Sequence, residues 1–139
     1  MVNNEISELI LGLTKSCNLI STDGIIVAVT FHSIEVRICK FFFNEISTQR
    51  KISRYLPINS IDQIAFNLIK KRPIIPTINE VEENPSSRSA KLRAVKRVGK
   101  KKLDTKFIFE KFKYLLEVEK MALKLWKIFL LLHLYWYWS

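Results

Sequence analysis

The feature that most restricts this chain is Ile25-Ile26-Val27-Ala28-Val29-Thr30-Phe31, a continuous apolar and β-branched run without polar alternation. The pattern predicts a strand, and the missing alternation predicts one buried on both faces of a parallel sheet. Turn chemistry precedes it in Ser21-Thr22-Asp23-Gly24, where Gly24 is free to take positive φ. An amphipathic helix is predicted over residues 3–19, capped by Asn3 or Asn4, with Ile6, Leu9, Ile10, Leu13 and Cys17 on one face. A second helix is predicted from about Ile34 to Glu45, with Ile34, Ile38, Phe41 and Phe42 on one side. Helix, turn, buried strand and helix form the local pattern of an α/β sheet. One such unit cannot cover both faces of its own strand, and the first helix begins almost at Met1. We therefore expect part of a larger α/β fold.

Residues 46–66 read as loop with a short helix near Ile61–Phe66. Lys70–Thr77 contains Pro73 and Pro76, which predicts an edge strand or an extended connection. A short helix over Ile78–Glu83 should stop at Asn84-Pro85, because a residue before proline avoids the α region. Lys91–Arg97 is expected to be partly strand, with Lys91, Arg93 and Val95 on one face and Leu92 on the other. From Lys106 onward the pattern is helical, and Ile108, Phe112, Leu115, Val118, Ala122, Leu125, Phe129 and Leu132 trace one stripe. These changes predict two segments, 1–99 and a basic, then apolar tail over 100–139.

Charge is concentrated. The 139 residues carry a formal charge of +10. Between Arg88 and Lys113 stand eleven Lys or Arg residues against Asp104 and Glu110, which is nine of the ten net charges. Such a block seeks phosphate or an anionic surface, or serves as a solvated face that keeps an edge strand from aggregating. Two cysteines, Cys17 and Cys39, form no disulfide framework and no metal-ligand spacing. Cys17 lies on an apolar helical face and is expected to be a buried thiol. No basic stretch followed by an apolar one opens the chain, so no signal peptide and a cytoplasmic setting are expected.

Phe31-His32-Ser33-Ile34-Glu35-Val36-Arg37 occupies the junction between strand and second helix. Ligands of open α/β sheets bind at the carboxyl ends of strands, so His32 and Ser33 are placed for substrate contact. Ser33 is equally an ordinary N-cap, worth about 1 kcal/mol, and Glu35 suits the positive end of a helix. Capping requires no imidazole at position 32.

Four blocks then carry a resemblance. Val2-Asn3-Asn4-Glu5-Ile6, Ser21–Ser33, Phe31–Ile38 and Asn84-Pro85-Ser86-Ser87-Arg88-Ser89-Ala90-Lys91-Leu92-Arg93 resemble, in order and spacing, segments of the MraW/RsmH family of ribosomal RNA cytosine methyltransferases. The resemblance covers about residues 2–98, and its specificity lies in the pair of the second-helix block and the Asn84–Arg93 block. It implies the C-terminal strands and helices of a Rossmann-like class I methyltransferase fold. It also implies methyl transfer from S-adenosyl-L-methionine (SAM) to the exocyclic amino group of a cytosine in the small ribosomal subunit. Asn3, Glu5, His32, Ser33, Glu35 and Arg37 match the first blocks, and Asn84, Pro85, Arg88, Ser89, Lys91 and Arg93 the last; all of these but Pro85 are the candidate substrate and RNA contacts. Two positions depart from the family pattern: Val36 stands in place of Asp, and Ser86 in place of Arg.

The chain has three glycines, Gly12, Gly24 and Gly99, from which no glycine-rich nucleotide loop can be built. The resemblance implies that SAM-binding motifs precede the point where this chain starts, so a cofactor-free, inactive portion is expected. The alternative is a noncatalytic basic module that binds RNA or an anionic membrane surface. Ile128–Trp138 is apolar except for His133 and falls short of the roughly 20 residues needed to span a bilayer. An interfacial anchor, a partner-binding helix, or a segment without a selected role all accommodate it.

Overall fold

The computed structural model describes residues 4–47, 65–100 and 103–137. In chain order its elements are α1 (Glu5–Leu19), β1 (Ile25–Thr30), α2 (Ser33–Ser47), β2 (Phe66–Leu68), α3 (Ile78–Glu83), β3 (Lys91–Arg97), α4 (Lys106–Lys111) and α5 (Lys113–Tyr137). A 3₁₀ turn over Pro85–Ser89 leads into β3. Two compact units result, one from Thr14–Asp104 and one from Met1–Leu13 with Thr105–Ser139.

The first unit is built on a three-stranded sheet of order β1-β3-β2. Both β1 and β2 run antiparallel to β3. The parallel, two-faced burial expected of the Ile25–Phe31 run is therefore corrected. Ile26 and Thr30 face inward, while Ile25, Val27 and Val29 stay exposed. Apolar composition reports how much a strand can bury, not the direction of its neighbour. The register sets Ile26 opposite Val95, Ala28 opposite Arg93 and Phe66 opposite Arg97 on the inner face. Helix α2 packs on this sheet and buries Ile38, Cys39, Phe42, Phe43 and Ile46. The Phe42 and Phe43 rings sit 6.1 Å apart and tilted. Each fully buried Phe or Ile here stabilises the unit by about 1.5–3 kcal/mol.

The turn into β1 differs from the expected one. Asp23, not Gly24, takes the left-handed conformation, with φ 68°. The glycine is required at 24 for space, since a Cβ there would lie 2.4 Å from Ile20 Cγ1. Phe66, expected to end a short helix, instead starts β2 because it pairs with Arg97; positions 61–64 of that helix lie outside the described residues. The short helix at Ile78–Glu83 forms as the Asn84-Pro85 stop predicts. Ile74 in the extended Pro73–Pro76 stretch forms a bridge with Leu92.

In the second unit, the Asn4 carbonyl accepts the Glu8 amide at 2.8 Å, so Asn4 is the cap residue of α1. The next free amides of that helix turn to α5. Ile6 N and Ser7 N donate to the Glu119 carboxylate at 2.8 and 3.1 Å, and the Ser7 hydroxyl donates to the same group. Glu119 is buried, as are Ile108 and Phe112, whereas Val118 and Leu125 of the expected apolar stripe are exposed. A carboxylate with three donors outcompetes the apolar stripe because orphan helix amides need an acceptor more than an aliphatic side chain needs cover.

Candidate functional site

The last residue of β1 and the first of β3 meet. Thr30 pairs with Lys91, and its buried hydroxyl donates to the Lys91 carbonyl at 3.2 Å. The segment leaving β1 (Phe31-His32-Ser33) and the segment entering β3 (Asn84–Ala90) therefore lie at one end of the sheet.

On the first side, Glu35 reaches back along α2. Its Oε2 accepts from Phe31 N at 3.0 Å and His32 N at 3.2 Å. The Val36 amide donates to the His32 carbonyl at 3.0 Å, so His32 is the cap residue and Ser33 begins the helix. That corrects the N-cap expected of Ser33. The carboxylate at position 35 reaches back to the cap residue's own amide and the one before it, the reciprocal half of a capping box. His32, Ser33 and Arg37 are exposed.

On the second side, Asn84 Oδ1 accepts from Ser86 N at 3.2 Å. Ser87 N donates to the Asn84 carbonyl at 2.9 Å and Ala90 N to the Ser87 carbonyl at 2.8 Å. Asn84 and Pro85 thus start a tight turn for local reasons: an amide side chain that closes on the backbone, then a residue with pre-set φ. Ser87 is turned inward, and Arg88, Ser89 and Lys91 are exposed.

The basic block does two jobs. Arg93 and Arg97 sit on the inner face of β3, 8% and 7% exposed. Arg97 Nη1 donates to the carbonyls of Cys17 at 2.8 Å and Ile20 at 2.9 Å, and Nε to Gly99 at 3.0 Å. Its guanidinium also lies 5.6 Å from the Phe66 ring centre. Burial pushes the Cys39 thiol up to about 11, with Glu35 raising it further and Arg93 opposing. Arg93, unlike Arg88 and Lys91, is buried on the inner face of β3, where α2 packs, rather than exposed for the RNA contact expected of it. Lys96 pairs with Asp23 at 2.8 Å.

Glu5 is exposed on the first turn of α1, in the other unit, and Asn3 lies outside the described residues. Sequence reasoning passed over Thr30, which joins the two blocks. Its signal is available only in hindsight of register: it is the strand's last residue, with inward parity. Among the described residues, no group of His, Cys, Asp and Glu is placed to hold a metal. Likewise no helix of the described residues is long and apolar enough to cross a membrane.

Residues 1–98 match the family model described as the MraW methylase family. The chain belongs to the MraW methylase family. Among proteins similar to it, the "Ribosomal RNA small subunit methyltransferase H" of Oceanobacillus iheyensis is 39% identical over 110 residues, covering 78% of this chain and 33% of that protein. The protein of the same name from Oenococcus oeni is 38% identical over 97 residues, covering 69% and 31%. That from Rhodopseudomonas palustris is 43% identical over 98 residues, covering 70% and 30%. This chain thus spans about a third of the length of the curated relatives it matches. Both sides of the Thr30–Lys91 junction fall inside the MraW match, whereas α4 and α5 follow it.

Proposed function

We propose that this chain is the RNA-facing portion of a SAM-dependent methyltransferase that modifies the exocyclic amino group of a cytosine in small-subunit ribosomal RNA. The proposal takes the sheet as the C-terminal part of a Rossmann-like class I methyltransferase fold. One observation supports it: the Thr30–Lys91 pairing brings the segment leaving β1, which carries His32 and Ser33, to the same end of the sheet as the turn that carries Arg88 and Ser89 into Lys91, in a chain of the MraW family. The names of the relatives supply the ribosomal RNA substrate.

SAM is the methyl donor in this proposal, and the described residues do not form its cradle. Gly12 lies within α1 and Gly24 is packed against Ile20, so neither opens a glycine-rich phosphate loop. The part of the enzyme that this chain does not span must hold the cofactor. The chain's own contribution is positioning. Arg88 and Lys91 contact phosphates, which gives affinity and register but little sequence reading. His32 and Ser33 offer hydrogen-bonding groups at the strand end, where a base edge can reach them, and Glu35 holds that turn rigid. The setting is cytoplasmic, where the ribosomal substrate is found.

Methyl transfer from radiolabelled SAM to small ribosomal subunits tests the proposal. The 139-residue chain alone should transfer nothing and bind no SAM by calorimetry. Mixed with the portion of the O. iheyensis protein outside its 110-residue match, it should transfer methyl to a cytosine. Saturable SAM binding by the chain alone, or methyl arriving on another base, refutes the proposal.

A further inference from the structure

Helix α5 is apolar along two sides, and the two sides follow different periods. Tyr114, Val118, Met121, Leu125, Ile128 and Leu132 recur at alternating spacings of four and three residues. That is the seven-residue repeat with which one helix packs along another, narrower than the stripe of a helix lying on a core. The other side is fixed by Glu119, which is buried and receives the Ile6 and Ser7 amides of α1. At about 100° per residue, Glu119 lies about 130° around the helix from the middle of the Tyr114–Leu125 stripe, and half-buried Leu123 about 170°. Helix α1 is thereby held away from the stripe, whose Tyr114, Val118, Met121 and Leu125 are exposed. The stripe follows the MraW match, which ends at residue 98.

We propose that this stripe pairs with the same stripe of a second copy of the chain, α5 against α5 and antiparallel. Charge selects the partner, the direction and the register together. In the repeat, Val118 and Leu125 take the first core position and Tyr114 and Met121 the fourth, so Glu117 and Lys124 occupy the same flanking position one repeat apart. In an antiparallel pair, identical flanks meet. When Val118 faces the partner's Met121, and Tyr114 the partner's Leu125, Glu117 comes beside the partner's Lys124. The two-fold axis makes that contact twice. A parallel pair would instead set Glu117 and Lys124 against the uncharged positions 122 and 129. Sliding the antiparallel pair by one repeat would set Lys124 against Lys124. Within its own helix Glu117 meets exposed Lys113 at 3.9 Å, a surface pair weak enough to be shared.

Sedimentation of the full 139-residue chain should show a dimer that dissociates on dilution. Val118→Glu with Met121→Glu should raise the dissociation constant about a hundredfold or more, because carboxylates would enter an apolar seam. Glu117→Lys should raise it about tenfold by opposing like charges twice, and Glu117→Lys with Lys124→Glu should return it to within about threefold of the parent. Direction is read by mixing Tyr114→Cys and Leu125→Cys chains under mild oxidation, with native Cys17 and Cys39 buried. Disulfides should join one variant to the other, and neither variant to itself. A monomer at every concentration means that the chain covers its own stripe, and overturns the proposal. So does a polydisperse aggregate, a charge swap that fails to restore association, or a Tyr114→Cys chain that links to itself, the mark of a parallel pair.

Discussion

Replacing Arg97 by methionine separates the structural and RNA-binding duties of the basic block. The guanidinium is 7% exposed and donates to the carbonyls of Gly99, Cys17 and Ile20 at 3.0, 2.8 and 2.9 Å. Those acceptors lie just beyond β3 and at the end of α1, so one side chain ties the strand to the last turn of the helix. Methionine keeps much of the volume but none of the donors. Hydrogen bonds from a charged donor contribute about 1.5–3 kcal/mol each, and carbonyls left unpaired cost more, while relief from burying the charge offsets part of this. The three bonds act as a unit, so the expected loss is about 3–5 kcal/mol rather than their sum. With a urea dependence of about 2 kcal/mol/M, the midpoint should fall by about 1.5–2.5 M. Arg97→Lys should recover only part of that, because an ammonium cannot reach three acceptors or lie flat over Phe66. Urea unfolding followed by circular dichroism makes the measurement. Filter binding to RNA over a salt series should show an unchanged slope, since a buried guanidinium releases no counterion. An unchanged midpoint, or a shallower salt slope in Arg97→Met, refutes the reasoning.

The exposed cations should behave in the opposite way. Arg88→Ser with Lys91→Ser should leave the urea midpoint within error and make the log–log salt slope of RNA binding shallower by about 1.4–1.8, two phosphate contacts. In the second unit, Glu119→Ala should cost about 1–3 kcal/mol by leaving the Ile6 and Ser7 amides without an acceptor, visible as faster hydrogen exchange at those two amides. Burial pushes both thiols up to about 11 from an ordinary 9.0, with Arg97 opposing at Cys17. The folded chain therefore holds protons that the unfolded chain has lost, and stability should decline as pH rises from about 9 to 11; a Cys17→Ala, Cys39→Ala chain should decline less steeply in urea melts across that window. Gly24→Ala should destabilise by about 1–3 kcal/mol, because the new methyl must push the Ile20 side chain aside, and thermal melting would detect it.

Local chemistry was legible from the residues. Helix α3 stops where Asn84-Pro85 forbids another helical turn, and Asn84 closes the next turn with its own side chain. The β-branched run at Ile25–Thr30 is a strand, and Lys91, Arg93 and Val95 fall on one face of β3 with Leu92 on the other, the expected parity. Each of these depends on dihedral preference or a period of two, which neighbouring residues impose on one another without help from the rest of the chain. What tertiary structure decided was partnership. A strand's composition does not say that its neighbour runs antiparallel or which of its residues face inward. Nor does a row of positive charges say that Arg97 will spend its donors on the carbonyls of Cys17 and Ile20 while Arg88 keeps its own in water. Thr30 reaches Lys91, and Glu119 reaches Ile6, only after long stretches of chain have been brought back together. Propensity acts over a few residues, whereas register, burial and the choice of hydrogen-bond partner are settled by whichever distant surface arrives to exclude the water.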